Sequence, residues 1–176
     1  LTYAFPPLQA AESFLCVKAL ARVESLSIDI LTIDASRLGL PIDDSLENYS
    51  VQNFNKIYRT NPPSWLTENV FKFLRYVSFF PDRFRFINKQ MFKKALKIDV
   101  ENYDLIISWS QWHSVHLVAS KIKKYFPTLP WIAHMSDPWS DNPFLTNKIG
   151  YKASQYFLER KVLKYADAIN FTTNMA

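Results

Sequence analysis

The stretch WIAHMSDPWSD, residues 131 to 141, sets an acid and an indole directly after an apolar run. Asp137 is expected just past a strand, half exposed, where its carboxylate can accept hydrogen bonds from a polyol or take a proton from a hydroxyl. Pro138 stiffens the turn, and Trp139 offers a flat apolar face of the kind that stacks on sugars or bases. The same spacing also fits an Asp that caps its own loop while the Trp covers the sheet edge. Asp137 and Asp141 stand in a D-x-x-x-D pattern without further ligands, so no metal is expected between them. A second set, SWSQWHS at residues 108 to 114, supplies Ser108, Ser110, Gln111 and His113, neutral donors and acceptors suited to hydroxyl recognition. His113 falls in an opening helical turn, where it can face a cleft. His116 reads as core-facing or as a solvated helix residue, and His134 as a satisfied interior histidine rather than a catalyst. Three His without Cys or a matching carboxylate pattern do not make a zinc site. A third segment, PPLQAAES at residues 6 to 13, enters a helix whose free N–H groups can hold a phosphate or carboxylate.

These residues need a scaffold, and hydrophobic patterning predicts one. Residues 10 to 23 carry apolar side chains around most of a helix, with Glu12 in the first turn where a carboxylate suits the dipole. SIDILTID, residues 27 to 34, predicts a strand, and residues 35 to 64, with Gly39, Pro41, Pro62 and Pro63, an irregular stretch. Trp65 to about Lys97 has helical spacing broken at Pro81, which predicts two helices. The second half alternates: strand 103 to 110, helix 113 to 126, strand 130 to 136, a polar loop, a helix from about Lys148 to Ala166, and strand 167 to 173. Strands that are apolar throughout, separated by helices, predict a doubly wound α/β domain with a mostly parallel sheet covered on both faces. Ligands in such sheets sit beyond the carboxyl ends of the strands, so the three segments should converge on one edge.

Composition narrows the function. With 176 residues, 48% hydrophobic, the chain can bury the core of a single domain. Cys16 is the only cysteine, which excludes an internal disulfide or a CxxC metal site and fits a reducing cytoplasm. No apolar run approaches the ~20 residues of a membrane span. With Gly39 and Gly150 the only glycines, neither a G-x-G-x-x-G nor a P-loop can form, and no G-x-S-x-G elbow is present. The net charge of +5 is concentrated: residues 71 to 100 hold eight Lys or Arg against Asp82 and Asp99, together with eight aromatics. That composition fits an amphipathic helical layer, a membrane-surface patch or, less well, a nucleic-acid face. The opening LTYAFPP reads as a strand lacking its start, and DAINFTTNMA as a strand running into a helix cap at Asn174, so the chain is expected to be a fragment of a longer protein.

FPPLQAAES, PWIAHMSDPW and ERKVLKYADAINFTT (159 to 173), in this order, resemble the N-terminal domain of family-four (group 1) glycosyltransferases of the GT-B type. That family has a Phe-Pro-Pro-like segment with a Gly-Gly pair after its first strand, a Pro-Trp strand running into Arg-Asp-Pro-Trp, and an Ala-Asp-Ala before the closing strand. The resemblance covers nearly the whole chain and is most specific over residues 104 to 173. It implies a single Rossmann-like, acceptor-side domain over residues 1 to 176, with the donor-binding C-terminal domain absent. It also implies a retaining enzyme without metal or cofactor, using a nucleotide-sugar as co-substrate, inactive as this fragment alone. A bacterial, cytoplasmic role in surface polysaccharide synthesis follows, with residues 71 to 100 docking a lipid-linked acceptor at the inner membrane face and no nucleic acid as partner. Carried over by position, Asp137 contacts the acceptor or transferred sugar as the catalytic carboxylate, and Gln9, Ala10 and Ala11 approach the donor phosphates. Ser110, His113 and Trp139 complete the substrate-binding set. The chain departs from the family where Gln9-Ala10-Ala11 replaces the Gly-Gly pair and Ser136 replaces the Arg. A non-catalytic α/β domain binding a sugar or nucleotide in the same groove is the alternative.

Overall fold

The computed structural model describes residues 1–23, 25–76, 80–143 and 150–172. The expected helix start at Lys148, the end of the last strand at Thr173 and the cap at Asn174 lie outside them. The aliphatic run Asp29–Ile33 forms β1, which pairs in parallel with β2, Lys56–Thr60, from Asp29 opposite Lys56 to Ile33 opposite Thr60. A second parallel sheet has the order β3 (Ile106–Ser110), β4 (Trp131–Met135), β5 (Ala168–Phe171). The helices are α1 (Ala11–Leu20), α2 (Glu47–Asn53), α3 (Glu68–Phe73), α4 (Asn88–Lys97), α5 (Ser114–Tyr125) and α6 (Tyr151–Leu163). The protein is thus mixed α/β with two small parallel sheets.

The two sheets meet through the first residues of the chain. Thr2 donates its backbone N–H to the Leu31 carbonyl of β1 at 3.1 Å, while Leu1 accepts from the Trp109 N–H of β3 at 2.8 Å. The backbone nitrogen of Leu1 also donates to Ile107 at 2.6 Å.

Both faces of β1 are covered, which is why its sequence does not alternate with polar residues. Ile30 joins a small cluster with Phe5, Cys16, Val17 and Phe54. Leu31 and Ile33 enter the main core with Phe84, Met91, Val115 and Trp131. Helix α1 seals the smaller cluster with one face only, burying Cys16 and Val17 while Phe14 and Leu15 are exposed. Apolar residues around most of its circumference made a largely buried helix the expectation, and this is corrected: the helix has a sheet on one side and solvent on the other.

The stretch expected to be irregular, residues 35 to 64, contains α2 and β2. The strand was hidden by its polar composition, KIYRT. It is an edge strand whose Arg59 is neutralised by Glu47, at 2.7 and 2.8 Å, and anchored on the Pro6 carbonyl at 2.9 Å. Edge strands tolerate such charges because only one side continues the ladder.

The basic stretch after Trp65 folds as a helical layer. Helix α4 turns Met91, Phe92 and Ala95 inward and leaves Lys93 and Lys97 outside. Arg83 lies over the Phe71 ring at 4.1 Å and donates to the Phe71 carbonyl at 3.2 Å, so this cation is spent on packing. Its neighbour Asp82 fixes the start of α5: its carboxylate accepts from the Ser114 N–H at 2.8 Å, the Ser114 hydroxyl at 2.7 Å and the Phe84 N–H at 2.9 Å. A cap borrowed from residue 82 replaces the local one that His113 does not provide. Among the described residues no helix is long and apolar enough to cross a membrane.

Candidate functional site

Three loops leave the carboxyl ends of the N-terminal segment, β3 and β4, and their side chains meet at Glu12. The first loop is pinned by a short stretch of chain: Gln9 N–H donates to the Pro41 carbonyl at 2.9 Å, and Asp43 N–H to Pro7 at 2.8 Å. Ala10 is extended and offers no side-chain cap to α1. Gln9 and Ala11 are exposed, and together with Ala10 they border a cleft that also touches Ser13, Asp43 and Ser45. Ser13 is buried, and its hydroxyl has no hydrogen-bond partner.

In the first turn of α1, Glu12 is 8% exposed. Its Oε1 accepts short hydrogen bonds from the Trp109 indole of β3 and from the Ser136 hydroxyl after β4. These contacts span 97 and 124 residues of sequence, so a single carboxylate ties the three loops together. Ser136 also donates its backbone N–H to the Ser110 carbonyl at 3.1 Å, closing the β3 and β4 ends on each other.

His134 stands beside this carboxylate. Its ring lies on Trp109 with centroids 3.7 Å apart, and Asn170 of β5 reaches its Nδ1 at 3.1 Å. An amide NH₂ can only donate, so Nδ1 accepts and the proton sits on Nε2. That Nε2 is buried without a partner. Burial holds the His134 pKa below its usual value, with the Glu12 carboxylate pulling the other way. Of these groups only Asp137, two residues past β4, is exposed and placed to accept from hydroxyl groups; Glu12 and His134 are buried.

The remaining residues expected in the site are divided by the structure. Ser110 is buried, with its hydroxyl 3.3 Å from the His134 carbonyl and 3.4 Å from His113 Nδ1. His113 stacks flat on Trp139, with centroids 4.9 Å apart and planes at 7°, and hydrogen-bonds the Pro138 carbonyl. Burial pushes its pKa down to about 4. Trp139 is 1% exposed, and its indole donates to Gln155 Oε1 at 2.7 Å. The expectation that Trp139 presents an open face is therefore corrected in favour of the other reading of the same spacing: it covers the sheet edge, because Gln155 satisfies its N–H inside the core and His113 occupies its ring face. His116 is fully buried, the core-facing one of its two readings, with its Nδ1 2.7 Å from the Ser108 hydroxyl, which also accepts from Trp131 at 2.8 Å.

Sequence reasoning read Glu12 only as a dipole partner and left Trp109 out. The available signal was positional: both fall within a few residues of loops already expected to converge. Among the described residues no cluster of three His, Cys, Asp or Glu is placed to hold a metal. No protein-family model matches the chain, and neither curated proteins nor solved structures give a significant match.

Proposed function

We propose that this chain is the acceptor-binding half of a retaining GT-B-type glycosyltransferase that moves a sugar from a nucleotide-sugar during surface polysaccharide synthesis. The observation that carries the reading is the meeting of the Phe-Pro-Pro, SWSQWHS and MSDPW loops on Glu12. Counting Leu1–Thr2 as a strand joins the sheets in the order β2, β1, residues 1–2, β3, β4, β5, the 3-2-1-4-5-6 order of doubly wound folds. In that order the topological switch lies between residues 1–2 and β3, and Glu12 and Trp109 sit just beyond it.

On this reading the acceptor hydroxyls bind at Asp137, with Ser136 and Glu12 setting the floor of the groove. The acceptor oxygen forms the new bond to the anomeric carbon as the sugar's bond to phosphate breaks. The hydroxyl proton passes to a carboxylate or to the departing phosphate, and the nucleoside diphosphate leaves with the bonding electrons. The start of α1, with Gln9 to Ala11 and the free Ser13 hydroxyl, is where donor phosphates approach. A second α/β domain supplies most of the donor contacts. Ser136 stands where the family has Arg, and its hydroxyl bonds to Glu12 in place of a cation. The enzyme works in the cytoplasm without metal or cofactor.

Titrating the chain with a panel of oligosaccharides tests this reading. Saturable binding is expected for at least one glycan, weakened about ten- to a hundredfold by Asp137→Ala, a loss of about 1.4–2.7 kcal/mol, with an unchanged circular dichroism spectrum. Equal affinity of the variant would remove Asp137 from the site.

Membrane docking belongs to the same proposal. Lys72, Phe73, Arg75 and Tyr76 are exposed at the end of α3, and Arg85, Lys89, Lys93 and Lys97 are exposed further along. Each cation near an anionic surface contributes about 1 kcal/mol. Co-sedimentation with phosphatidylglycerol vesicles should therefore fall at least about tenfold when Lys72, Arg75, Lys93 and Lys97 are changed to Glu. Unchanged sedimentation would discard the membrane contact.

A further inference from the structure

A cleft of about 440 Å³ separates the start of α1 from the turn at residues 43–46, within the range of about 300–1,000 Å³ typical of small-molecule sites. Its two sides are held together by Gln9 N–H on the Pro41 carbonyl, Asp43 N–H on Pro7 and an antiparallel bridge between Leu8 and Ile42. One side carries donors. Ala10 brings no side-chain cap to α1, so the first-turn N–H groups of Ala11 and Glu12 have no partner within the helix. The Ser13 hydroxyl, in a residue 1% exposed, also lacks a partner and borders the cleft from the same turn. Such a set suits a phosphate oxygen. The Glu12 carboxylate does not interfere, because it is turned to Trp109 and Ser136 and does not border the cleft.

The other side carries an anion. Asp43 accepts from the Ser45 N–H at 2.9 Å, and the Ser45 backbone and side chain hold its exposed carboxyl below the ordinary range, which keeps it ionised at neutral pH. No Lys or Arg borders the cleft. Two cations touch lining residues from outside it: Lys18 lies over the Phe14 ring at 4.3 Å, and Arg59 donates to the Pro6 carbonyl and is paired with Glu47. An unneutralised carboxylate accepts readily from hydroxyl groups and repels a second anion. Leu8, Phe14 and Leu46 add apolar surface to the same cleft. The matching ligand is anionic at one end and uncharged, rich in hydroxyls, at the other.

We infer that this cleft takes a sugar phosphate, with the phosphate at the start of α1 and the hydroxyls of an uncharged sugar on Asp43, and that Asp43 sets specificity against acidic sugars. The inference rests on the glycosyltransferase reading, which brings donor phosphates to α1, and adds to it the residue of this chain that reads the donor's sugar. A uronic acid would set its carboxylate against Asp43 with no cation to neutralise the pair, and is rejected for that reason.

The test titrates the chain with glucose 1-phosphate, glucuronic acid 1-phosphate and methyl phosphate, following the Ala11 and Glu12 amides in ¹H–¹⁵N spectra. Glucose 1-phosphate should bind about fivefold or more tighter than glucuronic acid 1-phosphate, the size of one like-charge contact near water, and tighter than methyl phosphate. Asp43→Asn can keep the bond from Ser45 through its amide oxygen and should bring the two sugar phosphates within about twofold of each other. Ser13→Ala should weaken both by a common factor of about three- to tenfold. Equal affinities for the two in the wild-type chain, or a preference that survives Asp43→Asn, would overturn the proposal. Methyl phosphate binding as tightly as glucose 1-phosphate would overturn the sugar subsite alone and leave the anion site that the glycosyltransferase reading requires. No saturable shift with any of the three probes would overturn the proposal and the donor side of that reading together, while acceptor binding at Asp137 stands or falls by its own glycan titration.

Discussion

Replacing Glu12 with alanine is expected to lower stability by about 2–4 kcal/mol, a large effect for a residue in the first turn of a helix. A first-turn carboxylate acting only on the helix dipole contributes about 0.3–1 kcal/mol. The difference comes from the two donors that converge on Oε1, the Trp109 indole and the Ser136 hydroxyl, which lose their shared acceptor. Glutamine separates structure from chemistry. Its amide oxygen can accept the same two hydrogen bonds, so Glu12→Gln should stay within about 1 kcal/mol of wild type by urea denaturation. If the carboxylate also serves the bound sugar, the glutamine variant will fold normally yet bind glycan more weakly. An alanine variant as stable as wild type would show that Glu12 does not tie the loops together.

Acidification should destabilise the protein in a window set by its buried histidines. His113 is pushed down to about 4 by burial, with its hydrogen bond to Pro138 opposing, and His116 is lowered further inside the core by burial, then by the neighbouring His113 and His134. A base whose pKa is depressed on folding is neutral in the native state while the unfolded chain takes up a proton. Stability is therefore complete above about pH 6.5 and is lost as pH falls toward 4. At about 1.4 kcal/mol per pH unit, His113 alone accounts for roughly 3 kcal/mol by pH 4. Carboxylates titrate in the same region, so the readout is the difference between wild type and His113→Phe, whose ring can keep the stack on Trp139. The variant should lose clearly less stability than wild type between pH 7 and pH 4.5. Parallel loss in both proteins would show that His113 is protonated in the folded state.

Local pattern carried much of the fold. The apolar runs DILTI, IISWS and WIAHM become β1, β3 and β4, because strands covered on both faces need no polar alternation. Strand β2 was illegible, since at a sheet edge Lys56 and Arg59 are tolerated and the partner of Arg59, Glu47, lies in another element. The site was legible at the level of loops and not of side chains. Ser136, Ser110 and Asp137 fall where the strand ends put them. Trp139 could not be placed from spacing, because its burial depends on Gln155, a residue of α6 that no local pattern connects to it. The same holds for Glu12, whose partners arrive from β3 and from the loop after β4.

The most direct test of the account is a residue-resolved map of glycan binding. In ¹H–¹⁵N correlation spectra, a bound oligosaccharide should shift the amides of Gln9 to Ala11, Ser110, Ser136 and Asp137 and the indole N–H of Trp109, all at the carboxyl ends of the strands. The amides around Asp29 and Leu105, at the opposite ends, should stay in place. Shifts confined to that opposite end, or no saturable shift with any glycan in the panel, would contradict the assignment of this groove to a sugar acceptor.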